Sequence, residues 1–401
     1  MPPSIETAVN RPAVPWDGAT LTAEVDVEPG TQEDAVQRVL ALCIDTSGSM
    51  GGEKIERARE GAAWIFGLLD EDDYVSIVAF DSEAELVMRP TRWGDTSREE
   101  AMDRVSKLKA GGGTDMFDGL TTARDALESV DELVDTSGAV RRILLLSDGK
   151  DKHHDPSDFA GLAEEIDAAG IRIKAAGIGA EYNEDTIREL GTKGRGEWTH
   201  LEGPFAIEDF FGDAVEDASE VVAPDAQLEL DVANGVEVED VYRAEPQAQE
   251  VELEWDANTA IVKLPDLVER EHQKVTMKLH APAIDAEEKN EEGHILVDLT
   301  LAARGAEAEA PIIVTYTDDN SKLAAENEEV QLDHQQTVVA TELGKGNVEA
   351  AEDTVERMTV IHGEDAAAVQ QAERQTQIVK EGGRAERNRA TKIVDDEGLQ
   401  T

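Results

Sequence analysis

Two hydrophobic periods divide the chain. Between about 36 and 220, unbroken apolar runs at 39–44, 74–80, 142–146 and 171–178 alternate with stretches in which apolar residues recur every three to four positions, at 53–69, 96–109, 116–133, 157–169, 184–191 and 205–220. A run without a polar face belongs to a strand buried on both sides. Its alternation with amphipathic helices is the pattern of a mostly parallel sheet covered by helices. Segment 84–89 follows the 74–80 run too closely for a crossover helix, so it is expected to be an antiparallel edge strand. Trp64, Phe66 and Phe80 are expected to pack around the sheet, and Phe210 and Phe211 to do the same from the closing helix.

From about 222 to 318 the period becomes two. Leu228, Leu230 and Val232 alternate with acids, as do Val251, Leu253 and Trp255, and segments 260–264, 273–280, 294–303 and 310–317 continue the theme. This predicts a small antiparallel sandwich. Residues 19–28 alternate too, with Leu21, Ala23, Val25 and Val27 opposite Thr20, Thr22, Glu24 and Asp26, and Pro29-Gly30 ends the run. A single strand is not stable alone, so this one is expected to join the sandwich. Residues 1–15, rich in proline and polar side chains, read as a loose leader. After Asp318 the spacing is helical at 322–343, 348–361, 365–381 and 384–395; Gly344 and Gly346 break the first pair, and Asn347 can cap the second helix. The expected organisation is therefore a leader and N-terminal strand over 1–35, a doubly wound α/β domain over 36–220, an antiparallel β-sandwich over 221–318 and a helical bundle over 319–401. No internal repeat of fixed period is found.

Charge narrows the function. The 401 residues carry 37 Lys and Arg against 89 Asp and Glu, a formal net charge of −52, with 40% hydrophobic residues. That hydrophobic fraction is enough to build cores, so wholesale disorder is not expected. The carboxylate excess excludes nucleic-acid and anionic-membrane binding, both of which need a basic face. The acids are spread from Glu24 to Glu397 over every segment, and basic residues comprise only 15 Lys beside 22 Arg. Self-repulsion on this scale opposes compaction in dilute salt, whereas at ~1 M salt the screening length falls to ~3 Å. The composition resembles that of cytosolic proteins from salt-loving microbes. With a single cysteine, Cys43, inside an apolar run, no intramolecular disulfide can form, and a small buried hydrophobe is its expected role. The first fifteen residues hold no apolar signal core, and no run approaches the ~20 residues needed to span a bilayer. A cytoplasmic location is expected.

Candidate chemistry gathers at strand ends. The 39–44 strand runs into Asp45-Thr46-Ser47-Gly48-Ser49, then Gly51-Gly52 and an amphipathic helix. Ligand groups in open parallel sheets lie beyond the carboxyl ends of strands. One carboxylate and two hydroxyls form an all-oxygen set, suited to a hard cation such as Mg²⁺. Gly111-Gly112-Gly113-Thr114-Asp115 offers a hydroxyl at a helix start, and the 142–146 strand ends in Ser147-Asp148-Gly149, a second carboxylate at a neighbouring tip.

This ordered set resembles the von Willebrand factor A domain, a Rossmann-like fold, and its metal-ion-dependent adhesion site. The resemblance covers about 36–215 and includes all five expected ligand positions. It implies that Asp45, Ser47 and Ser49 are first-loop ligands, Thr114 the second-loop hydroxyl and Asp148 the third-loop carboxylate, often acting through water. It further implies Mg²⁺ as the cation, with Mn²⁺ and Ca²⁺ as alternatives, and a last position completed by water or by a partner protein's Asp or Glu. Prokaryotic proteins of this type include accessory subunits of AAA+ ATPase assemblies.

The loop Lys150-Asp151-Lys152-His153-His154-Asp155-Pro156 lies on the same face. Paired histidines with flanking acids suggest a softer metal such as Zn²⁺. Neighbours in one loop rarely suffice without a distant third ligand, and none is evident in the sequence. His153 and His154, with Asp115, are therefore expected to form a partner-binding rim, Asp115 also starting a helix or lying behind the metal ligands. Asp81-Ser82 reads as a strand-end turn. Catalysis is not expected: Ser47 and Ser49 lack a linked histidine in a nucleophile elbow, and no P-loop Lys-Ser/Thr follows Gly113. The expected function is a cytosolic, Mg²⁺-dependent protein-interaction module that binds neither nucleic acid nor membrane. The competing readings are a structural protein that self-assembles through its C-terminal helices, with the metal only stabilising the fold, and a metal-dependent hydrolase.

Overall fold

The apolar run at 39–44 becomes the centre of a six-stranded sheet. A computed structural model describes residues 1–31, 36–134, 136, 138–179, 182–284, 292–303 and 306–382. The chain divides into two units, Gln32–Pro224 and a second made of Met1–Thr31 with Asp225–Thr401.

In the first unit the elements run β1 (Arg38–Asp45), α1 (Glu53–Ile65), β2 (Tyr74–Phe80), β3 (Ala84–Arg92), α2 (Arg98–Ser106), α3 (Met116–Glu128), β4 (Val140–Ser147), α4 (Pro156–Ala168), β5 (Arg172–Ile178), α5 (Glu184–Lys193), β6 (Glu197–Leu201) and α6 (Ala206–Ser219). The sheet order is β3-β2-β1-β4-β5-β6, with every pairing parallel except the antiparallel β2–β3 edge. Successive side chains of a strand leave opposite faces. Leu40, Leu42 and Ile44 accordingly enter one core with residues of α1, α2 and α6, while Val39, Ala41 and Cys43 enter the other with residues of α3, α4 and α5. This is an α/β fold wound on both faces, and burial of Cys43 raises its thiol pKa far above the ordinary value. At the end of β1 away from the strand tips, Arg38 (side chain 4% exposed) pairs with Asp73 (2%), which also accepts the backbone N–H groups of Arg38 and Asp70. That pairing anchors β1 against the turn before β2.

Two details correct the sequence reading. Trp64 is 56% exposed, because α1 turns Ala58, Ala62 and Ile65 inward and a helix rotates by about 100° per residue. Phe66, Phe80, Phe210 and Phe211 are buried. The strand β6 was not expected. Its five residues, Glu-Trp-Thr-His-Leu, form an edge strand with only two apolar anchors, too short to show a period.

The second unit holds two sheets. One has five strands in the order Ser4–Val9, Ala19–Glu28, Gln273–Ala281, Glu237–Glu245 and Gln249–Glu250, all antiparallel. The other has six, Glu254–Asp256, Thr259–Lys263, Gln227–Val232, Gly293–Ala303, Ala306–Tyr316 and, added in parallel, Ala13–Val14. Residues 1–15 are thus not a loose leader. Ile5 and Val9 fall opposite Val27 and Ala23 in the edge strand, a six-residue signal hidden between prolines 3 and 12. Helices Glu328–Lys345, Val348–His362 and Ala367–Glu381 share a core of Val339, Leu343, Ala351, Val355, Met358, Val369, Ala372 and Val379. The helix expected at 384–395 lies outside the described residues. A polar cluster fastens the first of these helices to the five-stranded sheet: Lys274 reaches Asp333 at 2.8 Å and Glu24 at 3.4 Å, and His334 Nδ1 lies 3.1 Å from Thr276 Oγ1. Burial pushes the Glu24 pKa up to about 7, against the pull of Lys274, and pushes that of His334 down to about 4. Among the described residues, no helix is long and apolar enough to cross a membrane.

Candidate metal centre

Strand β1 delivers Asp45 as its last residue and β4 delivers Ser147 as its own, in register because Ile44 faces Leu146. The Ser147 hydroxyl donates to Asp45 Oδ2 at 2.6 Å, and the backbone N–H of Ser47 donates to Oδ1 at 2.7 Å. Asp45 is wholly buried, and burial raises its pKa. The Ser147 and Ser47 hydrogen bonds pull the other way, and the nearby Asp148 charge pushes it further up. A carboxylate placed here by β-sheet register, with neutral donors on both oxygens, is fixed in direction without being neutralised.

The loop after β1 then folds back over the strand tips. Ser47 and Ser49 hydroxyls lie 3.0 Å apart, and Ser49 Oγ donates to Asp148 Oδ1 at 2.7 Å. Asp148, also fully buried, receives Lys54 Nζ on its other oxygen; the same ammonium lies 3.4 Å from the Ser49 carbonyl. The second loop is held against the first by backbone bonds, Gly111 N–H to the Thr46 carbonyl at 2.8 Å and Gly48 N–H to the Gly112 carbonyl at 3.3 Å. Asp81 anchors the far side of that loop, its carbonyl accepting from Asp115 N–H at 2.6 Å.

Gly149 shows how closely the third loop meets the second. A methyl group built on its α-carbon would stand 2.8 Å from Thr114 Oγ1 and 3.4 Å from Asp45 Oδ2. The Thr114 hydroxyl and the Asp45 carboxylate therefore border one small cradle that only glycine leaves open. Asp45, Ser47, Ser49, Thr114 and Asp148 are brought together from three loops at the carboxyl edge of one sheet. The donors are all oxygen, two of them from buried carboxylates; Lys54 pairs with Asp148, and among the described residues no cation pairs with Asp45. Such a set fits a hard divalent cation: the donor type suits it and the charge is under-compensated. Mg²⁺ bound there would supply a Lewis-acidic centre that takes one further anionic oxygen.

Asp115 caps α3, its Oδ1 accepting from Asp118 N–H at 3.0 Å. His153 is exposed and His154 half-buried, both on the loop braced by Asp151. Three contributors carried too little signal in the sequence. Ser147 sits beside an acidic residue that draws attention first. Asp151 looks like any loop acid. Lys54 left one trace, a cation in the first turn of α1, where the helix dipole disfavours positive charge.

Residues 40–150 match the family model of the von Willebrand factor type A domain. The Synechocystis protein named "Uncharacterized protein sll0103" is 24% identical over 60% of this chain and 56% of its own length. Inter-alpha-trypsin inhibitor heavy chain H4 of Sus scrofa is 35% identical over 29% of this chain and 12% of its own length. The chain thus spans little more than half of one such relative and a small part of the other. Among solved structures, a von Willebrand factor type A protein from Catenulispora acidiphila superposes with a TM-score of 0.79, at 18% identity, covering 98% of this chain and 97% of that one. The ArnB paralog VWA2 from Sulfolobus acidocaldarius superposes with a TM-score of 0.62, at 17% identity and 98% coverage of both. At these identities the structural likeness concerns the fold. The likeness to the von Willebrand factor type A domain thus lies in the α/β unit.

Proposed function

We propose that this protein is a Mg²⁺-dependent protein-interaction module of the cytoplasm of a salt-loving microbe. Asp45, Ser47, Ser49, Thr114 and Asp148 would hold the cation, and an Asp or Glu of a partner protein would complete its shell, with Mn²⁺ or Ca²⁺ as substitutes. The observation that carries this reading is the pair of fully buried carboxylates, Asp45 and Asp148, held by neutral hydroxyl and amide donors, with Lys54 on Asp148 and, among the described residues, no cation paired with Asp45. Ser147 and the Ser47 amide orient Asp45; Ser49 and Lys54 orient Asp148; the loop bonds to Gly111 and Gly112 hold Thr114 at the rim.

These residues bind and orient; none is arranged as a nucleophile with its base, which supports interaction over catalysis. A cation–carboxylate bond is short-ranged, so it keeps its strength in the concentrated salt that the composition suits and that screens longer-range attraction. A role as accessory subunit of a larger assembly, such as an AAA+ ATPase complex, is consistent with such a module. Calorimetric titration with Mg²⁺ in molar KCl tests the cation part. Wild type should bind one ion per chain, and Asp45→Ala, still folded by circular dichroism, should bind none. Equal binding by both proteins would overturn the assignment.

A further inference from the structure

Beside the oxygen-lined cluster, a second set of donors converges where α3 begins. Donor atoms of Asp115, Asp151 and His154 all lie within 4.8 Å of one another. The sequence shows His154 and Asp151 only as near neighbours in one loop; folding brings Asp115 to them from the preceding loop, the distant third ligand that the sequence does not reveal.

Each member is held in place by contacts to neighbouring backbone groups or rings. The Asp151 side chain is 2% exposed, and its Oδ1 accepts from the backbone N–H groups of His153 at 2.7 Å and His154 at 3.0 Å. Its Oδ2 accepts from those of Met116 at 3.0 Å and Phe117 at 3.4 Å, so both oxygens are tied to neutral amides. The His154 imidazole stacks on Phe117, ring centroids 4.3 Å apart and planes 16° from parallel, with Phe159 meeting it edge-on at 6.0 Å. Its Nδ1 stands 3.4 Å from Asp151 Oδ1. Among the described residues, no Lys or Arg is paired with Asp115 or Asp151. Two carboxylates, one of them buried, thus face an immobilised imidazole without a cationic side chain.

We propose that Asp115, Asp151 and His154 form a second divalent-cation site, distinct from the oxygen-only cluster and selective for a borderline transition ion such as Zn²⁺. The nitrogen donor separates the two sites chemically, since imidazole suits Zn²⁺ and its neighbours whereas Mg²⁺ prefers oxygen. Three protein donors leave a coordination position for water or an incoming ligand, and the stacked ring removes much of the ordering cost of binding. The site does not depend on the Mg²⁺ reading, because none of its three residues belongs to the first set.

The test is Zn²⁺ calorimetry in molar KCl with excess Mg²⁺, which suppresses adventitious binding to surface carboxylates and to the first cluster. Wild type and Asp45→Ala should each take up one Zn²⁺ per chain. His154→Phe, which keeps the aromatic stack while removing both nitrogens, should lose this uptake. Asp115→Asn, which still caps α3, should weaken it by more than the ~10–100-fold typical of an outer-shell loss. Co²⁺ in place of Zn²⁺ should give a visible absorption band in wild type that is missing from His154→Phe. Undiminished Zn²⁺ uptake by folded His154→Phe would overturn the proposal, as would absence of uptake by wild type. Uptake lost in Asp45→Ala but kept in His154→Phe would place the ion in the first cluster and overturn it equally.

Discussion

Replacing Lys54 by methionine separates the electrostatics of the first cluster from its packing. Among the described residues the ammonium is the one cation paired with the buried Asp148, and its side chain is 29% exposed while that of Asp148 is wholly buried. Stripping one partner from a buried pair costs about 3–5 kcal/mol. The solvent reaching Lys54 lowers this to about 2–3 kcal/mol, with methionine keeping most of the aliphatic contact. For a unit of this size each kcal/mol is worth about 2–4 °C in Tm, so in EDTA the variant should melt roughly 4–12 °C below wild type. A divalent cation compensates the same carboxylate. Saturating Mg²⁺ should therefore shrink the gap, and Mg²⁺ should bind the variant roughly ten- to hundredfold more tightly than wild type, each tenfold being about 1.4 kcal/mol. The assay is thermal unfolding with and without Mg²⁺, joined to calorimetric titration of both proteins. An equal Tm loss in EDTA and in Mg²⁺, or weaker Mg²⁺ binding by the variant, would refute the reasoning, because Lys54 would then be a packing element or a helper of the ion rather than its competitor.

Other outcomes follow from the same contacts. Ser147→Ala removes a 2.6 Å hydrogen bond to a buried carboxylate; it should cost about 1.5–3 kcal/mol in urea unfolding and weaken Mg²⁺ binding, and a neutral result would mean that Asp45 is oriented by its loop alone. Gly149→Ala places a methyl 2.8 Å from Thr114 Oγ1; overpacking of about 1–3 kcal/mol should leave the protein folded, with Mg²⁺ binding lost in calorimetry. In the second unit, Glu24 has its folded pKa raised from 4.5 to about 7, so its contribution is complete below pH 4.5 and is lost as pH rises to 7. His334, lowered from 6.5 to about 4, acts oppositely: its contribution is present above pH 6.5 and lost as pH falls to 4. The two slopes oppose each other between pH 4.5 and 6.5. Glu24→Gln should expose a rise in stability with pH over that window, His334→Gln a fall, each up to ~3 kcal/mol by denaturant unfolding at stepped pH.

Periodicity made much of the α/β unit legible. Buried strands announce themselves as unbroken apolar runs, and β2, expected at 74–80, spans Tyr74–Phe80. Helix ends were less exact: α1 stops at Ile65 and α3 at Glu128, each several residues before the amphipathic pattern fades. A pattern counts apolar positions, whereas a helix ends where its backbone finds other partners. Weakly patterned strands were the weak point: Ser4–Val9 and Glu197–Leu201 bury few side chains, and the interior strand Glu237–Glu245, absent from the expected sandwich, buries little along its first half. The meeting of Asp45, Ser47, Ser49, Thr114 and Asp148 could be anticipated since strand tips of a parallel sheet lie on one edge. Lys54, Ser147 and Asp151 could not, because their importance lies in which oxygen each touches, and that depends on how three loops pack. The Asp115–Asp151–His154 group is the sharpest instance: two residues of one loop gain meaning only when another loop supplies the third.

The central claim, an interaction completed through a bound cation, is tested most directly by a tagged pull-down in molar KCl, with wild type and Asp45→Ala each in Mg²⁺ and in EDTA. A partner should be retained by wild type in Mg²⁺ and be absent from the other three lanes, with an acidic side chain of that partner required for retention. The same retained proteins in all four lanes, with both baits folded, would contradict it and leave the cation as a stabiliser of the fold.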